Sequence, residues 1–71
     1  MAFDLEKMAA AMRGKRAEAD LSIRELAARS GVSPDSIFKY EDAQVVPGAD
    51  KLWAIADVLG CEPQELMGWG R

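Results

Sequence analysis

The sequence predicts an all-α domain of five short helices, and three observations carry that reading. First, apolar residues recur at helical spacing in successive stretches. These are Leu5-Met8-Ala9-Met12, Ile23-Leu26-Ala27, Ile37-Tyr40, Leu52-Ile55-Ala56-Leu59 and Leu66-Met67. Second, residues suited to helix ends bracket those stretches. Asp4, Ser22 and Ser33 stand at N-cap positions, and Gly31 and Gly60 stand where helices close. Third, helix formers dominate while β-branched residues are few.

The first helix is expected from Leu5 to about Ala17, capped by Asp4. Phe3 and Met8 occupy the two positions of a hydrophobic staple. Gly14 either permits close approach of another helix or is simply tolerated, at roughly 1 kcal/mol relative to Ala. Arg13, Lys15 and Arg16 crowd the last turn, where positive charge suits the helix C-terminus. Ala19-Asp20 is the connection.

The stretch 22–42 holds the most information. Ser22 with Glu25 three residues later forms a capping box for a second helix over about Ile23–Arg29. Gly31 can take the left-handed conformation that ends it, and Val32 turns back inside. Ser33 caps a third helix over about Pro34–Asp42, with Pro34 at the first helical position, where its missing N–H costs nothing. Two short helices joined by about three residues have the spacing of a helix-turn-helix, whose second helix commonly enters the DNA major groove.

Ala43 to Gly48 contains two helix breakers and reads as a loop. Of its consecutive valines, Val45 and Val46, at least one is expected to pack on the core. A fourth helix is expected over about Ala49–Leu59, with Leu52, Trp53, Ile55, Ala56 and Leu59 inward. Cys61 reads as a small core residue. Glu62 and Pro63 start a fifth helix with Leu66 and Met67 turned inward. The whole, residues 1–71, is one domain with its core at about 5–67, and 68–71 is a frayed tail unless Trp69 docks.

The 71 residues suffice for one small core, and 49% apolar content favours folding over disorder. One cysteine excludes an intramolecular disulfide. With no histidine and no second thiol, no structural zinc site or other metal is expected. No run approaches the ~20 apolar residues of a membrane span, and MAFDLEKM is no secretory signal, so a cytoplasmic protein is expected. The net charge of −3 is unfavourable for phosphate, but its distribution is uneven. Residues 13–39 hold six bases against four acids, whereas residues 41–66 hold one base against six acids.

The ordered set of residues resembles the phage-repressor/Cro-type (xenobiotic-response-element-like) DNA-binding family over about residues 5–67. Ala27 stands where that family has a small residue at the helix crossing, and Gly31 stands at its turn. Leu26, Val32, Ile37 and Tyr40 match its apolar positions. Leu52, Ile55-Ala56, Leu59-Gly60 and Glu65-Leu66 match its closing helices. The resemblance implies a lambda-repressor-like fold, with an Arg16–Glu41 pair joining helix 1 to the end of helix 3. It also implies DNA contacts by Ser22 and Ile23 at the start of helix 2, by Ser33, Pro34, Asp35, Ser36, Phe38 and Lys39 on helix 3, and by Gln44 in the following loop. Ile23 departs from the glutamine common at its position, and the Gln44-Val45 loop lacks the bases common there.

Lys39 suits guanine O6/N7 or a phosphate, Asp35 suits cytosine N4, and Phe38 suits a thymine methyl. A sequence-specific transcriptional regulator follows, expected as a repressor binding a palindromic operator in double-stranded DNA as a homodimer, with Met67 and Trp69 at the dimer contact. Any signal is expected to act through synthesis, proteolysis or a partner. The alternative is an antitoxin or accessory module in which the acidic half, Phe38 or Trp69 meets a protein partner. An enzyme is not expected: the chain has no histidine, no nucleophile–base pair, no glycine-rich phosphate loop and no cofactor motif.

Overall fold

The computed structural model describes residues 4–67. Four α-helices are present there: α1 (Leu5–Glu18), α2 (Ile23–Ser30), α3 (Pro34–Glu41) and α4 (Ala49–Leu59). The expected fifth helix is instead a single 3-10 turn, Pro63–Leu66, closed by a Met67 N–H bond to the Gln64 carbonyl. One turn after a proline start gives too few hydrogen bonds to offset helix nucleation, so the tighter form suffices. Its role is packing: Leu66 is fully buried against α1 and α4.

Local chemistry sets the helix ends. Asp4 accepts from the Glu6 and Lys7 N–H groups. Ser22 and Glu25 exchange reciprocal bonds of 3.0 and 2.8 Å, which completes the expected capping box. Ser33 accepts from the Ser36 N–H. At the C-termini, α1, α3 and α4 all close with a 6→1 and 5→2 bond pair, the Schellman arrangement. The left-handed residue in that motif is Asp20, Ala43 or Gly60, while Gly31 closes α2 with one bond to the Ala27 carbonyl. Only α4 and α2 place the usual glycine there.

The core is one cluster. Met8 and Met12 of α1 meet Leu26 and Ala27 of α2, Ile37 and Tyr40 of α3, Leu52, Ile55 and Ala56 of α4, and Leu66. Val32 seals the turn between α2 and α3. Two expectations fail. Trp53 is 63% exposed, because Leu52, Ile55 and Ala56 already fill the inward arc of α4 and position 53 is rotated away from it. Val45 and Val46 are both exposed, and Pro47 is the loop residue that is buried. Of the two readings of Gly14, simple tolerance holds, since a Cβ there meets nothing within 4 Å. Phe3, half of the expected staple, lies outside the described residues, as do Trp69 and the rest of the tail.

Ala43 holds φ at +57°, a conformation costing an L-residue roughly 1–2 kcal/mol. Ala43→Gly should therefore raise unfolding free energy by about 0.5–1 kcal/mol, after allowing for the extra chain entropy of glycine. Denaturant titration at constant m-value checks this.

Candidate nucleic-acid interface

The helix-turn-helix unit is α2, residues 31–33 and α3. Its placement depends on one side chain from α1. Arg16 donates from Nε to Glu41 Oε2 at 2.8 Å and from Nη2 to Oε1 at 2.9 Å, a bidentate pair. Its Nη1 donates to the Leu21 carbonyl at 2.9 Å. Arg13 Nη1 grips the Glu41 backbone carbonyl at 2.6 Å. Glu41 is only 6% exposed. The hydrogen-bonded carboxylate raises the Arg16 pKa beyond its ordinary value. The expected Arg16–Glu41 pair is thus present and also anchors the link into α2.

With Ile37, Tyr40 and Glu41 buried, the remaining residues of α3 face out. Ser33, Pro34, Asp35, Phe38 and Lys39 are exposed, and Ser36 is half-buried. Ser33 and Ser36 are tied to each other, with the Ser33 hydroxyl donating to Ser36 Oγ at 2.9 Å. Lys39 Nζ lies 3.3 Å from Asp35 Oδ2, one helical turn away. Phe38 is 51% exposed beside them. Gln44 stands exposed just after α3 and donates to Asp42 Oδ2 at 2.7 Å. Ser22 is exposed at the start of α2, whereas Ile23 is half-buried and packs on the core. Ile23 therefore belongs to the core edge rather than to the outward set. Met67 is likewise half-buried against the core.

Most of the bases counted in residues 13–39 already hold internal partners. Arg13 and Arg16 bind Glu41, Lys15 meets Glu65 at 3.2 Å and Glu18 at 3.9 Å, and Lys39 meets Asp35. Arg24 and Arg29 make no ion pair among the described residues and are exposed. Arg24 lines a shallow depression of about 420 Å³ with Ala28, Gly31, Ser33 and Pro34, which places a cation beside the start of α3. Arg24 was not among the residues singled out from sequence. Its signal was an arginine one position from the apolar face of α2, too common to stand out.

The remaining polar groups are structural. Hydrogen bonding to the Ser22 N–H holds the Glu25 carboxyl below its ordinary pKa. The Glu62 N–H and then Lys15 do the same for Glu65. Burial raises the Cys61 thiol, keeping it protonated as a small core-edge residue. Among the described residues no cluster suits a metal ion, and no helix is long and apolar enough to cross a membrane.

The sequence profile of the helix-turn-helix family matches residues 12–66, and the chain belongs to that family, in its Cro/C1-type branch. Among solved structures, it is similar to the restriction-modification controller protein C.AhdI from Aeromonas hydrophila. The TM-score is 0.84 at 30% identity, over 89% of this chain and 96% of that one. The clp gene regulator ClgR from Corynebacterium glutamicum gives 0.79 at 30% identity, over 86% of this chain and 65% of that one. The DNA-binding domain of the P22 C2 repressor gives 0.82 at 26% identity, over 97% and 88%. No curated protein sequence matches the chain.

Because the Glu25 pKa is lowered on folding, its contribution is full above the ordinary carboxylate value of about 4.3 and fades as pH falls through the folded value. Glu25→Ala should lower thermal stability at pH 6. The gap from the parent protein should shrink steadily as pH is taken toward 3, as thermal melts across that range would show. For the ion pair, Glu41→Ala leaves Arg16 half-buried without its partner and should cost about 3–5 kcal/mol, measured by urea unfolding.

Proposed function

We propose that this protein is a sequence-specific DNA-binding transcriptional regulator, a repressor that binds a palindromic operator as a homodimer in the cytoplasm. The observation that supports this most is the outward face of α3. Asp35, Phe38 and Lys39 are exposed on a helix whose opposite face is anchored by Ile37, Tyr40 and the Arg16–Glu41 pair. In a helix-turn-helix this is the face that enters the major groove. Membership of the family and the likeness to a controller protein, a gene regulator and a repressor domain point the same way.

Within this reading, Ser22 and Arg24 meet phosphate at the start of α2, and Ser33, Pro34, Ser36 and Gln44 line the contact around α3. Lys39, Asp35 and Phe38 supply the chemistry for base edges and a thymine methyl. One module of this size makes few base contacts. A dimer doubles them and sets half-sites about 34–36 Å apart. Met67 and Trp69 are placed at the dimer contact by the same reading. Repression is then steric, since an occupied promoter excludes polymerase.

The test is selection of bound duplexes from a random pool at moderate salt. A palindromic motif is expected, and failure to enrich any motif rejects DNA reading. A protein that stays monomeric on and off DNA at high concentration rejects the dimer. The salt dependence should be shallow, because most bases near the site already hold partners. Arg24→Ala should weaken binding to all duplexes alike and reduce the log–log salt slope by about 1, measured by fluorescence anisotropy from 50 to 200 mM salt.

A further inference from the structure

The outward face of α3 carries one cation and one exposed acid, and they are bound to each other. Lys39 Nζ sits 3.3 Å from Asp35 Oδ2, and both side chains are substantially exposed. The hydroxyls of Ser33 and Ser36 are already joined in the N-cap, and Phe38 offers no polar atom. The ion pair is therefore the main polar feature that α3 presents outward.

We propose that Asp35 and Lys39 act as one unit that reads a single C·G base pair, and that Asp35 serves chiefly to stop Lys39 from binding phosphate. This rests on the DNA-binding reading above and names what the site discriminates. A lone lysine is attracted to any phosphate and so adds affinity without selectivity. Beside a carboxylate its charge is balanced, and the acid is itself repelled by the phosphate backbone. The pair is satisfied only where a hydrogen-bond donor and an acceptor lie side by side. A C·G pair presents the cytosine N4 amino group next to guanine O6 and N7. The carboxylate accepts from N4 while the ammonium donates to O6 and N7, and the 3.3 Å contact survives. On an A·T pair the adenine amino group lies between two acceptors, N7 and thymine O4. A carboxylate approaching it faces acceptors on both sides.

The experiment selects duplexes from a random pool with the parent protein, Asp35→Ala and Asp35→Asn, and then measures affinity for the winning duplex and its single-pair variants. In the parent, each half-site should hold one fixed C·G pair whose change to A·T weakens binding about 5- to 150-fold, the equivalent of about 1–3 kcal/mol. Both Asp35 variants should still enrich duplexes, bind non-selected duplex more tightly, and show a salt slope steeper by about 1 as Lys39 turns to phosphate. They should also lose the preference at that pair alone. Position 35 is exposed in the first turn of α3, and circular dichroism melts verify that both variants remain folded. If the variants enrich the parent motif with every position unchanged, or weaken on all duplexes equally, the proposal is overturned while the DNA reading stands. If the parent enriches nothing, the DNA reading falls and this proposal falls with it.

Discussion

The fold depends on a buried charge being fully answered. Glu41 sits at the end of α3 with only 6% of its surface exposed, and an unpaired carboxylate there would cost several kcal/mol. Arg16 answers both oxygens and adds a bond to the Leu21 carbonyl, while Arg13 takes the Glu41 carbonyl. Three segments are thereby held by one guanidinium: the last turn of α1, the link into α2, and the end of α3. A buried ion pair often adds little net stability over an apolar substitute. Here its geometric consequence matters more. Glu41 follows Ile37 and Tyr40 on the buried arc of α3, so this pair helps decide which side of α3 faces solvent.

That constraint also reorders the electrostatics. By count, residues 13–39 form a mildly basic stretch. In space, Arg13, Arg16, Lys15 and Lys39 are directed to carboxylates or carbonyls of the same chain. Arg24 and Arg29 are the exposed cations of the stretch without an ion pair among the described residues. That stretch thus presents little uncommitted positive charge among the described residues, and its Asp35–Lys39 pair stands exposed on α3. Few free cations mean a weak general attraction to polyanions.

Much of the helix pattern was legible because caps and breakers act locally. Asp4, the Ser22–Glu25 box, Ser33-Pro34, Gly31 and Gly60 each satisfy backbone groups within a few residues, so their effect is written in adjacent positions. The failures share the opposite character. Ala43 and Asp20 close Schellman motifs without glycine; aspartate tolerates the left-handed region better than most residues, but nothing in alanine's identity announces it. Trp53 carries a large apolar side chain on an apolar helix. Its exposure follows from how Leu52, Ile55 and Ala56 dock on α2 and the 3-10 turn. The valine pair shows the same limit: Pro47, rather than Val45 or Val46, is the buried loop residue. The outer face of α3 was legible in the same way. Asp35, Phe38 and Lys39 were expected to face outward and do, Ile23 was expected on the apolar face of α2 and packs at the core edge, and Arg24 is brought beside the start of α3 only by the fold.

The sequence by itself determined the all-helical class, the positions of α1 to α4 to within a residue or so, the capped turn between α2 and α3, and the residues on the outer arc of α3. These follow from helical periodicity and from hydrogen bonds that close over three to five positions. Tertiary structure alone decided that the last helix shrinks to a 3-10 turn, that Trp53 remains outside, and that Arg24 stands at the start of α3. It also decided which bases are already engaged, joining Arg16 to Glu41 across 25 residues and Lys15 to Glu65 at the other end of the chain. Those pairings depend on the relative placement of packed helices, and a count of charges along the chain carries no information about that placement.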